Sequence, residues 1–202
     1  MLYYISRELL RLLFIVCFRF TVRHAENYPA HGPFIVASNH LSLLDPPAVG
    51  LSIKRQVTFL TRADLFDNVY FNWWALRVGC IPVERSRFDL AAIKGTLNRL
   101  KTGGIVVFFP EGTRSKDGIL KEPKAGVGFV ASKALVPIVP VFIKGTDKAL
   151  PAHEVCIRFK PVEIRVGKPL YPRAYIGKDG TCDYAQLSKE VMKKIEALSK
   201  ES

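Results

Sequence analysis

The chain predicts an α/β fold: a single domain with a largely parallel sheet flanked by helices. Three observations lead there. Short, mostly apolar runs of strand length recur along the sequence, amphipathic stretches with helical spacing lie between them, and no internal repeat or Gly/Ser linker divides the 202 residues. A hydrophobic fraction of 49% over that length is enough for one sizeable core and excludes a disordered chain.

Residues 1–19 read as a separate element. They are mostly Leu, Ile, Phe, Tyr and Val, interrupted by Arg7, Glu8, Arg11 and Arg19. The longest apolar run, Leu12 to Phe18, is far short of the roughly 20 residues that cross a bilayer core. Wound as a helix, the four charges fall within an arc of roughly 120°, with Ser6 the only polar residue outside it. That layout suits a helix lying in a membrane interface, arginines toward headgroups. A helix that simply covers the domain's own core fits the same pattern, whereas a signal peptide lacks the small-residue cleavage site it would need.

Residues 20–202 carry the domain proper. Strands are expected at Phe34–Ala37, Val57–Leu60, Cys80–Val83, Ile105–Phe109 and Ile138–Ile143, then at Cys156–Phe159 and Val162–Val166 around Lys160 and Pro161. Leu90, Ile93, Leu97 and Leu100 keep helical spacing after Ser86 and Asp89, which are placed as a capping box. A further helix is expected from about Lys124 to Ala134. Tyr184, Leu187, Val191, Ile195 and Leu198 mark a final amphipathic helix. Phe66, Tyr70, Phe71, Trp73 and Trp74 form an aromatic cluster, read first as core packing and otherwise as an acyl-chain groove or interfacial anchor.

A net charge of +12 predicts an acidic partner: nucleic acid, anionic lipid or a phosphorylated metabolite. No nucleic-acid recognition motif is present. Cys17, Cys80, Cys156 and Cys182 are scattered, without C-x-x-C or a histidine at ligand spacing, so they read as incidental thiols in a reducing compartment rather than zinc ligands. There is no G-x-S-x-G elbow, and Gly167-Lys168 and Gly177-Lys178 lack the rest of a P-loop. Serine-hydrolase and nucleotide-hydrolysing chemistry are thereby disfavoured.

The chemistry concentrates at predicted strand ends. His40 follows the Phe34 strand, Arg62 the Val57 strand, Glu84 and Arg85 the Cys80 strand, and Glu111 and Arg114 the Ile105 strand. If those strands are parallel neighbours, all of these groups gather along one edge, where α/β sheets bind ligands. Residues five apart on a helix diverge by about 140°, so His40 and Asp45 meet only if a loop or first helical turn folds the carboxylate back. Asp45 would then fix the imidazole tautomer and stabilise the imidazolium formed when His40 accepts a proton. Asp45 before Pro46 and Pro47 also suits a helix N-cap. In Phe109–Ser115, Gly112 permits a tight turn or close substrate approach, and Arg114 supplies a planar fork suited to phosphate. Glu111 can accept from substrate hydroxyls or hold Arg114. The same segment can be a plain structural turn, and Glu84 with Arg85 a surface ion pair. His24, His31 and His153 read as solvated or packing residues.

With these residues in view the chain resembles the glycerolipid acyltransferase family, particularly its bacterial 1-acyl-sn-glycerol-3-phosphate acyltransferases. The resemblance covers roughly residues 20–170 in four ordered blocks: Asn39-His40 through Asp45; Gly79 through Arg85, with Glu84 where many relatives carry aspartate; Phe109 through Ser115; and Val136 through Val141. It implies that His40 and Asp45 are catalytic, His40 removing the proton of an acceptor hydroxyl that attacks an acyl thioester. It implies that Arg85 and Arg114 hold the acceptor phosphate, with Glu111 near its glycerol part and Gly112 and Thr113 in the same substrate-binding turn. The Pro137–Val141 block looks like acyl-side or structural support.

The implied reaction esterifies lysophosphatidic acid to phosphatidic acid in phospholipid biosynthesis. Acyl-CoA or an acyl carrier protein thioester is the co-substrate, and no metal or other cofactor is involved. Glycerol 3-phosphate or another lysolipid is the alternative acceptor, and a non-catalytic basic lipid- or nucleic-acid-binding domain the remote one. The expected setting is an anionic membrane surface on the cytoplasmic face, the inner membrane of a bacterium. Two departures stand out. The hydrophobic N-terminus has room for one helix where some relatives have two, and the region after about Tyr171 carries no motif.

Overall fold

The structure is a computed structural model that describes residues 2–84, 89–115, 118–152, 154–177 and 180–201. Seven strands form one sheet in the order β1-β7-β6-β2-β5-β3-β4: β1 (Thr21–Arg23), β2 (Phe34–Ser38), β3 (Val57–Arg62), β4 (Ile81–Val83), β5 (Ile105–Phe108), β6 (Ile138–Lys144) and β7 (Glu163–Val166). Neighbours pair in parallel except β6 with β7. The expected α/β class and parallel sheet are thus what is found. The strands ending at His40, Glu111, Arg62 and Glu84 are the contiguous neighbours β2, β5, β3 and β4.

The central strands read as unbroken apolar runs because both faces are covered. Alternate residues feed two cores. On one face Phe34, Val36, Val107 and Val139 pack with helix α1 (Leu2–Phe18) through Phe14 and Phe18, and with α2 (Asp45–Ser52) through Ala48 and Val49. On the other, Ile35, Ala37, Val106 and Ile138 pack with α5 (Gly126–Ala134) through Val127 and Val130, and with α7 (Tyr184–Ser199) through Leu187, Val191 and Ile195. Each fully buried side chain of this size contributes about 1.5–3 kcal/mol. The remaining helices are α3 (Val69–Val78), α4 (Leu90–Lys101) and the short α6 (Thr146–Ala149).

Several elements depart from expectation. The run Cys156–Phe159 is not a strand. β6 and β7 begin pairing at Lys144 with Glu163, so the run lies in their connection, its apolar residues exposed and, among the described residues, without a neighbouring strand. β1 escapes the sequence because three residues show no periodicity. Ser86 lies outside the described residues, and Asp89 itself caps α4, its carboxylate accepting from Ala92 N at 2.9 Å and Glu84 N at 2.8 Å. Asp45 is not an N-cap. It is the first residue of α2, and its side chain turns back toward the preceding loop.

The aromatic cluster is only partly core. Phe66 and Phe71 pack on Ala75, Val78 and Cys80, but Tyr70 is 86% exposed and Trp73 and Trp74 face outward, because α3 lies at the sheet margin with one face covered. Similarly α1 buries Phe14 and Phe18 while Ile5, Leu9, Leu12 and Val16 on its opposite face are exposed, so it covers the core and presents a second apolar face as well. Arg7 turns toward the protein with its side chain 10% exposed, and Arg19 stands beyond the helix at φ 45°. Neither therefore joins the expected outward charged arc. Among the described residues, no helix is long and apolar enough to cross a membrane.

Candidate active site

The loop leaving β2 is held by its own side chains. Asn39 extends the sheet after β2 has ended: its amide donates to Ile143 O at 3.0 Å and accepts from Ile143 N at 2.7 Å, pinning the loop to β6. Ser42 donates from Oγ to Leu150 O at 2.7 Å and accepts from Leu44 N at 3.2 Å. Between these two anchors the chain reverses, and His40 and Asp45 come together.

Asp45 Oδ2 lies 2.8 Å from His40 Nδ1 and also accepts from Leu41 N at 2.5 Å and Ser42 N at 2.7 Å. Asp45 is fully buried and its Oδ1 has no hydrogen-bond partner, so the whole interaction runs through one oxygen. With the carboxylate accepting, Nδ1 carries the imidazole proton and Nε2 keeps the lone pair. The ring is also fixed in plane: it stacks on Phe109 with centroids 4.1 Å apart and 22° between planes.

The loop after β5 is sewn onto this one. His40 N donates to Glu111 Oε1 at 3.2 Å, Lys121 N donates to Glu111 Oε2 at 3.2 Å, and Ser115 N donates to His40 O at 2.8 Å. Glu111 is nearly buried, and burial lifts its carboxyl above the usual range while the two backbone donors pull the other way. Gly112 takes φ 74° in the turn closed by its N–H on Phe109 O, and a Cβ there would meet Lys124 Cε at 3.0 Å. Thr113 is exposed and Arg114 half-buried on the same turn. Arg85 lies outside the described residues. Arg62 is drawn away to Asp64, Nε to Oδ1 at 2.9 Å.

Beside this turn, on the face covered by α4, α5 and α7, lies a cavity of about 520 Å³. Phe108, Phe109, Pro110 and Gly112 form the wall next to Glu111, and Leu60, Val83, Ile93, Val127 and Phe129 make the rest mainly apolar. Glu84, Asp89, Thr96, Lys124 and Tyr184 supply its polar side chains. The size and lining suit an elongated apolar ligand with a polar end. Among the described residues, no group of three or more His, Cys, Asp or Glu is arranged to hold a metal ion.

The structure thus brings His40, Asp45 and Glu111 into one hydrogen-bonded unit and sets Gly112, Thr113 and Arg114 on the adjoining turn. Sequence reasoning passed over Asn39, Ser42, Phe109 and Ser115 as supports. Asn39 carried the one available signal, a buried-type amide at a strand end next to the histidine.

A family model described as Acyltransferase matches residues 19–144, more than half of the chain. Among curated proteins, a chloroplastic 1-acyl-sn-glycerol-3-phosphate acyltransferase of Brassica napus is 34% identical over 154 residues, covering 74% of this chain and 44% of its own length. A 1-acyl-sn-glycerol-3-phosphate acyltransferase of Bacillus subtilis is 28% identical over 151 residues, covering 74% and 73% respectively. The chain therefore spans under half the length of the plant relative. The crystal structure of the 1-acyl-sn-glycerophosphate acyltransferase PlsC from Thermotoga maritima superposes with a TM-score of 0.78 over 99% of this chain and 82% of that one, at 24% identity, which shows a shared fold. The chain belongs to the acyltransferase family.

Proposed function

We propose that the protein transfers a fatty acyl group from a thioester to the free hydroxyl of lysophosphatidic acid, producing phosphatidic acid. The observation that carries the reading is the buried Asp45–His40 pair, anchored by backbone donors and stacked on Phe109 at the carboxyl edge of the sheet. The relatives named above bear 1-acyl-sn-glycerol-3-phosphate acyltransferase names, which supports the choice of acceptor.

His40 Nε2 accepts the hydroxyl proton as the acceptor oxygen forms its bond to the thioester carbonyl carbon. Asp45 stabilises the resulting imidazolium. The tetrahedral species collapses with cleavage of the C–S bond, and the leaving thiolate of coenzyme A or acyl carrier protein takes the proton back from His40. Glu111 positions the site by holding His40 N, while Arg114, with Arg85, binds the acceptor phosphate and Thr113 and Gly112 shape that turn. The apolar cavity beside the turn receives an acyl chain. Residues 1–19 attach the domain, residues 20–202, to the cytoplasmic face of an anionic membrane, where the acceptor resides.

Purified protein incubated with lysophosphatidic acid and either acyl-CoA or acyl carrier protein thioester should form phosphatidic acid, and His40→Ala should lower the rate by about 10²–10⁴. Equal rates for the two proteins would reject the mechanism. Turnover of glycerol 3-phosphate alone would keep the mechanism and change the acceptor.

A further inference from the structure

We propose that the loop of residues 154–160 is a lipid-contacting element, separate from α1, that turns the carboxyl edge of the sheet toward an anionic membrane surface. The proposal rests on the functional reading above only for its biological purpose. Its physical basis is independent of it.

β7 runs antiparallel to β6 and begins at Glu163 opposite Lys144, so residues 145–152 and 154–162 of their connection lie at the carboxyl edge, the edge that carries His40 and Glu111. The loop adjoins two elements there. Val162 N donates to Phe18 O at 2.8 Å, placing it at the end of α1, and Leu150 O receives the Ser42 hydroxyl from the His40 loop. Every residue from Glu154 to Lys160 is exposed. Val155 is 93% exposed, Phe159 75% and Ile157 54%, an apolar set that no element among the described residues covers. Natural surfaces seldom hold three such side chains in five residues without a contact to make.

The charges select the partner. Arg158 is paired with Glu154, and of the remaining charges Lys148 and Lys160 in the same connection and Arg19 after Phe18, whose carbonyl the connection bonds, outnumber Asp147, leaving the segment net positive. Apolar tips among cations match an anionic lipid interface. A second copy of the chain would instead oppose like charges across the contact. Exposed apolar residues continue around the same edge: Leu43 beside His40 and Ile119 on the loop braced by Glu111. At the far edge Leu135, before β6, and Tyr171, after β7, are also exposed and serve as a control.

The test uses the full chain and vesicles of phosphatidylcholine with phosphatidylglycerol, free of lysolipid and thioester. Its failure would leave acyl transfer untouched, and failed acyl transfer would leave it untouched. In flotation, the triple variant Val155→Asp, Ile157→Asp, Phe159→Asp should partition about tenfold or more weakly than wild type. The pair Leu135→Asp, Tyr171→Asp should partition like wild type. An environment-sensitive fluorophore on the exposed Cys156 thiol, with Cys17 and Cys182 replaced by serine, should shift to the blue on vesicle addition. Equal partitioning of the triple variant and wild type, an equal loss in the far-edge pair, or no spectral shift would overturn the proposal. A shift that appears on raising protein concentration without vesicles would overturn it in favour of self-association.

Discussion

Replacing Asp45 separates the geometric and electrostatic parts of the site, because one carboxylate oxygen, Oδ2, accepts all three bonds: from His40 Nδ1 at 2.8 Å, Leu41 N at 2.5 Å and Ser42 N at 2.7 Å. Asp45→Ala leaves two buried backbone N–H groups unpaired at about 1–3 kcal/mol each, a total of roughly 2–6 kcal/mol. That is a large share of the 5–15 kcal/mol that typically holds a domain together. Asp45→Asn behaves differently. Three donors face the Oδ2 position, so the amide oxygen must take it and the amide nitrogen must take the unpartnered Oδ1 position. The Nδ1–H tautomer survives and the stability cost falls to about 1–3 kcal/mol for the buried amide nitrogen.

What Asp45→Asn does lose is the negative charge that stabilises the imidazolium. A charged hydrogen bond exceeds a neutral one by about 1–2 kcal/mol, and an ion pair whose charge centres lie about 4 Å apart contributes about 4 kcal/mol at an effective dielectric of about 20, so the rate should fall roughly 10- to 10³-fold. In a Ser-His-Asp triad where the amide inverts the tautomer, the corresponding loss is about 10⁴. Urea denaturation of both variants, with acyl-transfer rates on the folded fraction, measures each quantity. Equal destabilisation by Asn and Ala would refute the assigned donor arrangement. An Asn rate equal to wild type would refute the electrostatic role.

Two further expectations concern the frame around the site. Gly145 has φ 92°, and a Cβ there would lie 2.0 Å from Pro161 O, so Gly145→Ala should cost roughly 2–5 kcal/mol. Gly32→Ala, at φ 76° with open space around it, should cost only about 1–2 kcal/mol in the same denaturation experiment; similar costs would show that the contact with Pro161 does not matter. The hydrogen bond from fully buried Arg165 holds the Glu163 carboxyl below its usual range. A depressed carboxylate contributes stability above its ordinary value and loses it as pH falls through the lowered one. Glu163→Gln should therefore destabilise the protein at neutral pH and converge with wild type in acid, whereas an offset independent of pH would contradict the pairing.

How much of this was readable without coordinates depended on the range of the interaction involved. The strands at Phe34, Val57, Ile105 and Ile138 and the helices at Leu90 and Tyr184 were legible because their hydrophobic periods are local properties of the chain. Convergence of His40, Arg62, Glu84 and Glu111 on one edge followed from strand ends and the sheet-edge rule alone, and the observed β2-β5-β3-β4 adjacency agrees with it. The Cys156–Phe159 run misled because period-two apolarity marks a strand only if a neighbour offers a ladder, and none does. Tyr70 and Trp74 misled because aromatic content does not say which face of a marginal helix is covered.

The sequence by itself determined the α/β class, the parallel sheet and the set of polar residues at strand ends, since alternation, capping and loop placement are written in neighbouring residues. Only the tertiary structure decided that Asp45 turns back onto His40 instead of capping α2, that Glu111 braces two loops through backbone N–H groups, and that Asn39 fastens the first of them to Ile143. Those arrangements depend on donors and acceptors as many as 104 residues apart, brought within hydrogen-bonding distance of one another only when the sheet has closed around them.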